Sequence, residues 1–127
     1  MTGQDTWHII STGGSLRTDV LALVGPHALR TVRSYHASYA VLSCRGINEQ
    51  LGLADSDDTV VQIKQAMVAS CDCGILLADH RKFDRSGLVA LGSLDLVDKL
   101  ITDCLPSALW QQRLAESGVA LLCGESL

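Results

Sequence analysis

Three short segments hold most of the side chains able to bind a ligand or move a proton. Asp79-His80-Arg81-Lys82-Phe83 sets three potential cations directly behind one carboxylate. A lysine so placed can pair with an anion or, if desolvated, act as a nucleophilic amine, with Asp79 available to orient it. Ser43-Cys44-Arg45-Gly46-Ile47-Asn48 offers a hydroxyl, a guanidinium, a flexible glycine and an amide together, and arginine suits bidentate contact with phosphate. Thr12-Gly13-Gly14-Ser15, with Arg17 just beyond, would let backbone N–H groups approach a phosphate closely. Each segment also has a plainer reading: a solvated strand end with Phe83 anchored in the core, a polar loop, and a tight turn. In Ile101-Thr102-Asp103, the aspartate suits capping a turn or the next helix better than touching a ligand.

Other chemistries lack their patterns. His8, His27 and His36 have no partners at triad-like spacing, and there is no dinucleotide-binding glycine fingerprint. Cys71-Asp72-Cys73 lacks a second ligand pair, so no metal is expected. Five cysteines at irregular spacing (Cys44, Cys71, Cys73, Cys104 and Cys123) do not describe a disulfide framework. No cofactor is expected.

The elements that must carry these segments alternate along the chain. Residues 7–11 read as a strand running into the glycine turn. Gly25-Pro26 opens a helix through His27, Ala28, Leu29 and Val32, because proline suits the first helical position. Residues 38–44 form a short apolar strand. Asp55, Asp57 and Asp58 lead into the clearest helix, 59–70, where Val60, Ile63 and Met67 share a face and the carboxylates favour the positive helix end. Residues 74–79 are a continuous apolar run, the mark of a strand covered on both faces. Residues 99–103 are another strand. A helix from Pro106-Ser107 to Glu116 closes at Ser117-Gly118, before a last strand at 119–123. The stretch 88–96 fits neither pattern. Strand and helix at this spacing predict an α/β fold with a largely parallel sheet flanked by helices. Because a core strand follows the first residues almost at once, 1–127 reads as a single domain truncated at its N-terminus.

The chain has 127 residues, 47% of them hydrophobic, with a net charge of −4 and scattered lysines and arginines. That supports one domain with a core and disfavours direct binding to nucleic acid, which calls for a basic stripe. There is no membrane-spanning run or secretory leader, so a soluble, cytoplasmic protein is expected.

Taken in order, Thr12-Gly13-Gly14, Val24-Gly25-Pro26, Gly46-Ile47 with Gly52-Leu53, Lys64-Gln65-Ala66-Met67, Leu76-Leu77-Ala78-Asp79-His80-Arg81-Lys82-Phe83 and Ile101-Thr102-Asp103 resemble the C-terminal sensor domain of DeoR-family transcriptional repressors. The most specific part is Leu-Leu-Ala-Asp-x-x-Lys-Phe with Ile-Thr-Asp downstream. The resemblance implies a fold similar to ribose-5-phosphate isomerase and the coenzyme A transferases. It implies a phosphorylated-sugar effector, homo-oligomers, and DNA binding through an N-terminal winged helix-turn-helix that this chain does not contain. Asp79 and Lys82 then share a rim with the sugar, and Gly13, Gly14, Arg17, Ser43, Arg45, Gly46 and Asn48 complete the expected effector site. The chain departs from the family pattern in lacking an Asp-Ser-Gly-Thr-Thr-like loop. It also has Asp84 for a frequent glycine, Asn48 for a frequent acid, and Thr59-Val60 where a glutamate is frequent. Two alternatives stand beside the sensor: an isomerase-like enzyme using Lys82 and Asp79 for proton transfer, and a truncated remnant that only oligomerises.

Overall fold

The computed structural model describes residues 6–124. In chain order, β1 (Ser15–Arg17) and β2 (Ala22–Val24) form an antiparallel ribbon, followed by α1 (Pro26–Arg33) and β3 (Ala37–Leu42). Then come β4 (Gly46–Asn48), β5 (Gly52–Asp55), α2 (Asp58–Ala69), β6 (Cys71–Leu77), β7 (Val89–Gly92), β8 (Lys99–Thr102), α3 (Ala108–Glu116) and β9 (Ala120–Cys123). Strands β3, β6, β8 and β9 lie side by side in that order, all parallel, and β4, β5 and β7 make a separate antiparallel sheet. The α/β class with a mostly parallel sheet and flanking helices is therefore the observed one.

The helix boundaries follow local chemistry. α1 has Pro26 in its first turn, after Gly25 at φ 97°. α2 is capped by Asp57, whose carboxylate accepts the Val60 N–H at 3.0 Å, one of the otherwise unpaired donors of a helix start. α3 is capped by the Ser107 hydroxyl, and Gly118 at φ 76° follows its end.

Two strand expectations need correction. Residues 7–11 form no strand, and Trp7 and Ile9 are 75% and 82% exposed. A hydrophobic segment becomes a strand only where a neighbour pairs its backbone, and among the described residues this one has none. The run at 74–79 is covered on one face, not both. Parallel register puts Ala40 beside Gly74 and Leu42 beside Leu76 on the buried face. The alternate residues of the same strands face outward, with Tyr39 61% and Val41 51% exposed. β6 also starts earlier than expected, at Cys71, through a half that alternates in exposure. The stretch 88–96 resolves into β7 and a single 3₁₀ turn, Leu94–Leu96.

One hydrophobic cluster joins the two sheets. It runs from Leu42, Leu76 and Leu100 of the parallel sheet through Ile47, Leu53 and Leu91 of the antiparallel one to Trp110 and Leu114 of α3. Val61 of α2 joins the same cluster, with Met67 packed against it.

Candidate functional site

Adjacent parallel strands point their carboxyl ends the same way, so the loops that leave them meet at one rim. After β3, Ser43, Cys44 and Arg45 turn toward β4. After β6, Asp79 starts a 3₁₀ turn, His80–Lys82, by accepting the Arg81 N–H at 2.8 Å. Phe83 then docks beside Ile47 and against Trp110, with ring centroids 5.7 Å apart, and this fixes Lys82 at the rim. β5 ends on Asp55, and α2 brings Lys64 over it.

These elements enclose a cleft of about 370 Å³, whose polar lining includes Ser43, Arg45, Asp55, Ser56, Lys64 and Lys82. Its floor is a buried ion pair between Asp55 and Lys64. The Lys64 ammonium also donates to the Ser43 carbonyl at 2.7 Å, and the Asp55 carboxylate accepts the Ser56 N–H at 2.8 Å. Cys44 lies beside this floor, and burial pushes its thiol up to about 11, so it stays protonated and poorly nucleophilic near neutrality. A second depression of about 330 Å³, lined by Arg45, Arg81, Lys82, Arg85 and Ser86, adjoins the first across Arg45 and Lys82. Neither Arg45, Lys82 nor Arg85 forms a side-chain ion pair or hydrogen bond among the described residues. A larger hollow of about 530 Å³ lies beside Trp110 and Arg113, away from these strand ends.

Of the residues expected to bind an effector, Ser43, Arg45 and Lys82 meet in the cleft. Gly13 and Gly14, at φ 67° and 100°, sit instead against the start of α1. A Cβ on Gly14 would fall 2.7 Å from the Val24 carbonyl oxygen and 2.9 Å from the Ala28 methyl. Arg17 is engaged by Asp19 at 2.6 Å and by Asp57 at 2.8 Å. Asp19 above all holds its guanidinium in the charged form. Hydrogen bonds from the Val60 N–H, then the Thr59 hydroxyl and Arg17, bring the Asp57 carboxyl down to about 2. Asp79 pairs with Arg81 at 2.9 Å rather than with Lys82, and that contact lowers its pKa. Gly46 permits a close crossing, since a Cβ there would lie 2.1 Å from the Arg85 carbonyl oxygen. Asn48 closes the β4–β5 turn by accepting the N–H groups of Gln50 and Leu51, and its amide donates to the Arg85 carbonyl at 3.1 Å.

The departures from the family pattern acquire reasons here. A carboxylate at 48 could not donate to the Arg85 carbonyl, whereas the amide does. Asp84 has φ 60°, a backbone region that glycine enters freely and aspartate tolerates. It is retained there by accepting the indole N–H of buried Trp110 at 3.0 Å. Thr59 donates to Asp57 at 2.7 Å and accepts from Arg17 at 3.1 Å.

Asp55, Lys64 and Arg85 were not among the expected site residues. Lys64 stood in a recognised motif, but nothing in its spacing ties it to Asp55. Asp55 read as part of an acidic approach to α2, because the four-residue strand that it ends is too short to show a period in the sequence. Arg85 lies outside every segment singled out in the sequence.

The geometry describes a polar cleft at the carboxyl ends of parallel strands. The DeoR C terminal sensor domain pattern matches residues 1–104, and the chain belongs to that family. It is 34% identical over 103 residues to an uncharacterised helix-turn-helix transcriptional regulator, YulB, of Bacillus subtilis, covering 81% of this chain and 40% of that protein. It is 29% identical over 121 residues to the glycerol-3-phosphate regulon repressor of Escherichia coli, covering 94% of this chain and 48% of the repressor. It is 32% identical over 95 residues to the L-fucose operon activator of the same organism, covering 75% of this chain and 39% of the activator. The chain thus spans less than half the length of these relatives. They are named as regulators of transcription. No helix among the described residues is long and apolar enough to cross a membrane.

Proposed function

We propose that this chain is the effector-binding part of a cytoplasmic DeoR-type transcription regulator of sugar metabolism. It takes up a phosphorylated sugar in the strand-end cleft and so alters DNA binding by a separate helix-turn-helix domain. One observation carries the reading: Arg45 and Lys82, which have no ion pair among the described residues, stand over the Asp55–Lys64 floor, so one cleft offers cations for a phosphate and fixed polar groups for hydroxyls. The names of the relatives, a glycerol-3-phosphate regulon repressor among them, point the same way. An effector of this kind acts by binding one conformer of the whole regulator more tightly than another. The coupling between two such sites is typically about 1–3 kcal/mol.

Binding is favoured over catalysis because the nearby carboxylates are already committed, Asp19 of the cleft lining being paired with Arg17. Asp79 is held by Arg81 and Asp55 by Lys64, whereas a general base must reach the substrate proton. Self-association is part of the proposal and rests on the outward face of the parallel sheet, where Tyr39, Val41 and Leu77 are exposed. Exposed apolar side chains gathered on one face favour association with another chain.

A thermal-shift titration against a panel of sugar phosphates and their unphosphorylated sugars tests the effector. Ligands that bind only the folded state raise Tm with concentration. A rise with at least one phosphorylated sugar, absent with its parent sugar, is expected. No response from any of them refutes the effector assignment.

A further inference from the structure

We infer that His80, Asp103 and Cys104 form a binding site for a zinc-like divalent cation, where the turn after β6 meets the end of β8. The site shares no residue with the cleft and does not depend on the effector reading. One ligand atom from each of the three residues lies within 4.8 Å of the other two. The imidazole Nδ1 and Asp103 Oδ2 are already 2.7 Å apart. Zinc bonds imidazole nitrogen and carboxylate oxygen at about 2.0–2.2 Å and thiolate sulfur at about 2.3 Å. All three side chains are exposed, so small rotations can open the His80–Asp103 contact and draw the thiol inward without disturbing the core.

The donor set selects the ion. Imidazole, carboxylate and thiolate together suit zinc-like cations, whereas magnesium and calcium take oxygen ligands. Carboxylate and thiolate balance the two charges of the cation. On binding, the thiol gives up its proton to solvent, and the neutral imidazole keeps its proton on Nε2. Three protein ligands at an exposed position leave the fourth tetrahedral place to water.

The frame around the ligands is built into the fold. Asp103 Oδ1 accepts the His80 N–H at 2.7 Å, the Cys104 N–H at 3.0 Å and the Thr102 hydroxyl at 3.3 Å, which leaves Oδ2 for the imidazole. The Ala78 N–H donates to the Ile101 carbonyl at 3.1 Å, and the Cys123 thiol donates to the Asp103 carbonyl at 3.6 Å. Hydrogen bonds outside the ligand set orient metal ligands and raise affinity. His80 and Asp103 are 23 residues apart, so no short ligand spacing marks the site in the sequence. A bound ion would tie the end of β8 to the turn that presents Lys82.

The test adds zinc to the reduced, chelator-treated chain of 127 residues, with cobalt(II) as a spectroscopic probe. One equivalent of zinc should bind saturably by calorimetry and raise Tm. Cobalt should give a thiolate-to-metal charge-transfer band that zinc removes. Cys104→Ser should abolish the band. His80→Gln should weaken zinc binding about a hundredfold or more, since partners outside the ligand set alone are worth about 10–100-fold. Cys73→Ser, which removes another accessible thiol, should change neither. Circular dichroism of the metal-free variants separates a lost ligand from a lost fold, and if one variant does not fold the other decides. No saturable zinc binding, a cobalt complex without the thiolate band, or wild-type affinity in Cys104→Ser overturns the site. Loss of the band in Cys73→Ser but not in Cys104→Ser also overturns it, by placing the ion at Cys71-Asp72-Cys73.

Discussion

Asp103 holds His80 through both of its carboxylate oxygens. One accepts the His80 backbone N–H at 2.7 Å, and the other lies 2.7 Å from the ring Nδ1. The first oxygen also accepts the Cys104 N–H at 3.0 Å. This double contact ties the end of β8 to the turn that follows β6, the turn that presents Lys82. It gives a physical meaning to the pairing of Leu-Leu-Ala-Asp-x-x-Lys-Phe with Ile-Thr-Asp in the sequence. The His80 contact also holds the Asp103 carboxyl well below the usual carboxylate range.

Asp103→Asn should therefore lower Tm modestly at neutral pH, with the loss dependent on acid. A carboxyl whose folded pKa is depressed stabilises the fold above its unfolded pKa, about 3.9 for aspartate. That stability drains away as pH falls through the folded value, because the unfolded chain takes up the proton first. Asp57, brought down to about 2, adds a similar loss between roughly pH 4 and 2. Melting curves of wild type and Asp103→Asn should converge as pH drops below about 4. A gap that stays constant through that range would show that Asp103 acts through shape rather than charge.

Gly14→Val should destabilise the fold without being a binding mutation. The new side chain meets the Val24 carbonyl and Ala28 while forcing a β-branched residue to φ 100°. Backbone strain and overpacking each cost roughly 1–3 kcal/mol. Denaturant unfolding should show a lowered midpoint with an unchanged slope, and any residual folded protein should bind phosphate normally. Selective loss of phosphate binding at full stability would return Gly14 to the effector site.

How much of this was legible in the sequence depended on range. The caps Asp57 and Ser107, Pro26 at the start of α1 and Gly118 after α3 act within a few residues, and each was readable. The four parallel strands were readable because each is an apolar run between turn signals. β4 and β5, of three and four residues, are too short to show a period and exist only through pairing with one another and with β7. Residues 7–11 failed in the opposite sense, with a strand-like composition and no described partner. At the site, Ser43, Arg45 and Lys82 stood out by type and position. Asp55 meeting Lys64, Asn48 holding Arg85 and Arg17 neutralised by Asp57 are contacts between elements, which one-dimensional spacing does not reveal.

The Asp55–Lys64 pair should be the most costly feature of the cleft to break on one side alone. Both side chains are largely buried, and each offsets the charge of the other. Lys64→Met leaves an uncompensated carboxylate and should cost about 3 kcal/mol, whereas Asp55→Leu with Lys64→Met should recover most of it. A double-mutant cycle by urea unfolding measures the coupling. If the double variant is as unstable as the worse single one, the pair serves packing that the apolar substitutes do not restore.

Lys82→Ala should separate binding from folding most cleanly. Lys82 is half-buried and makes no ion pair among the described residues, so its removal deletes no native partner. The change should stay within about 0.5 kcal/mol of wild-type stability, and relief of repulsion from Arg45 and Arg85 could even raise it slightly. Phosphate, and any sugar phosphate that stabilises the wild type, should bind at least about tenfold more weakly, because Lys82 lines both halves of the cleft. Unfolding and ligand titration on one preparation decide the matter. An unstable variant would make Lys82 a structural lysine, and a stable variant that binds as well as wild type would move the effector away from this rim.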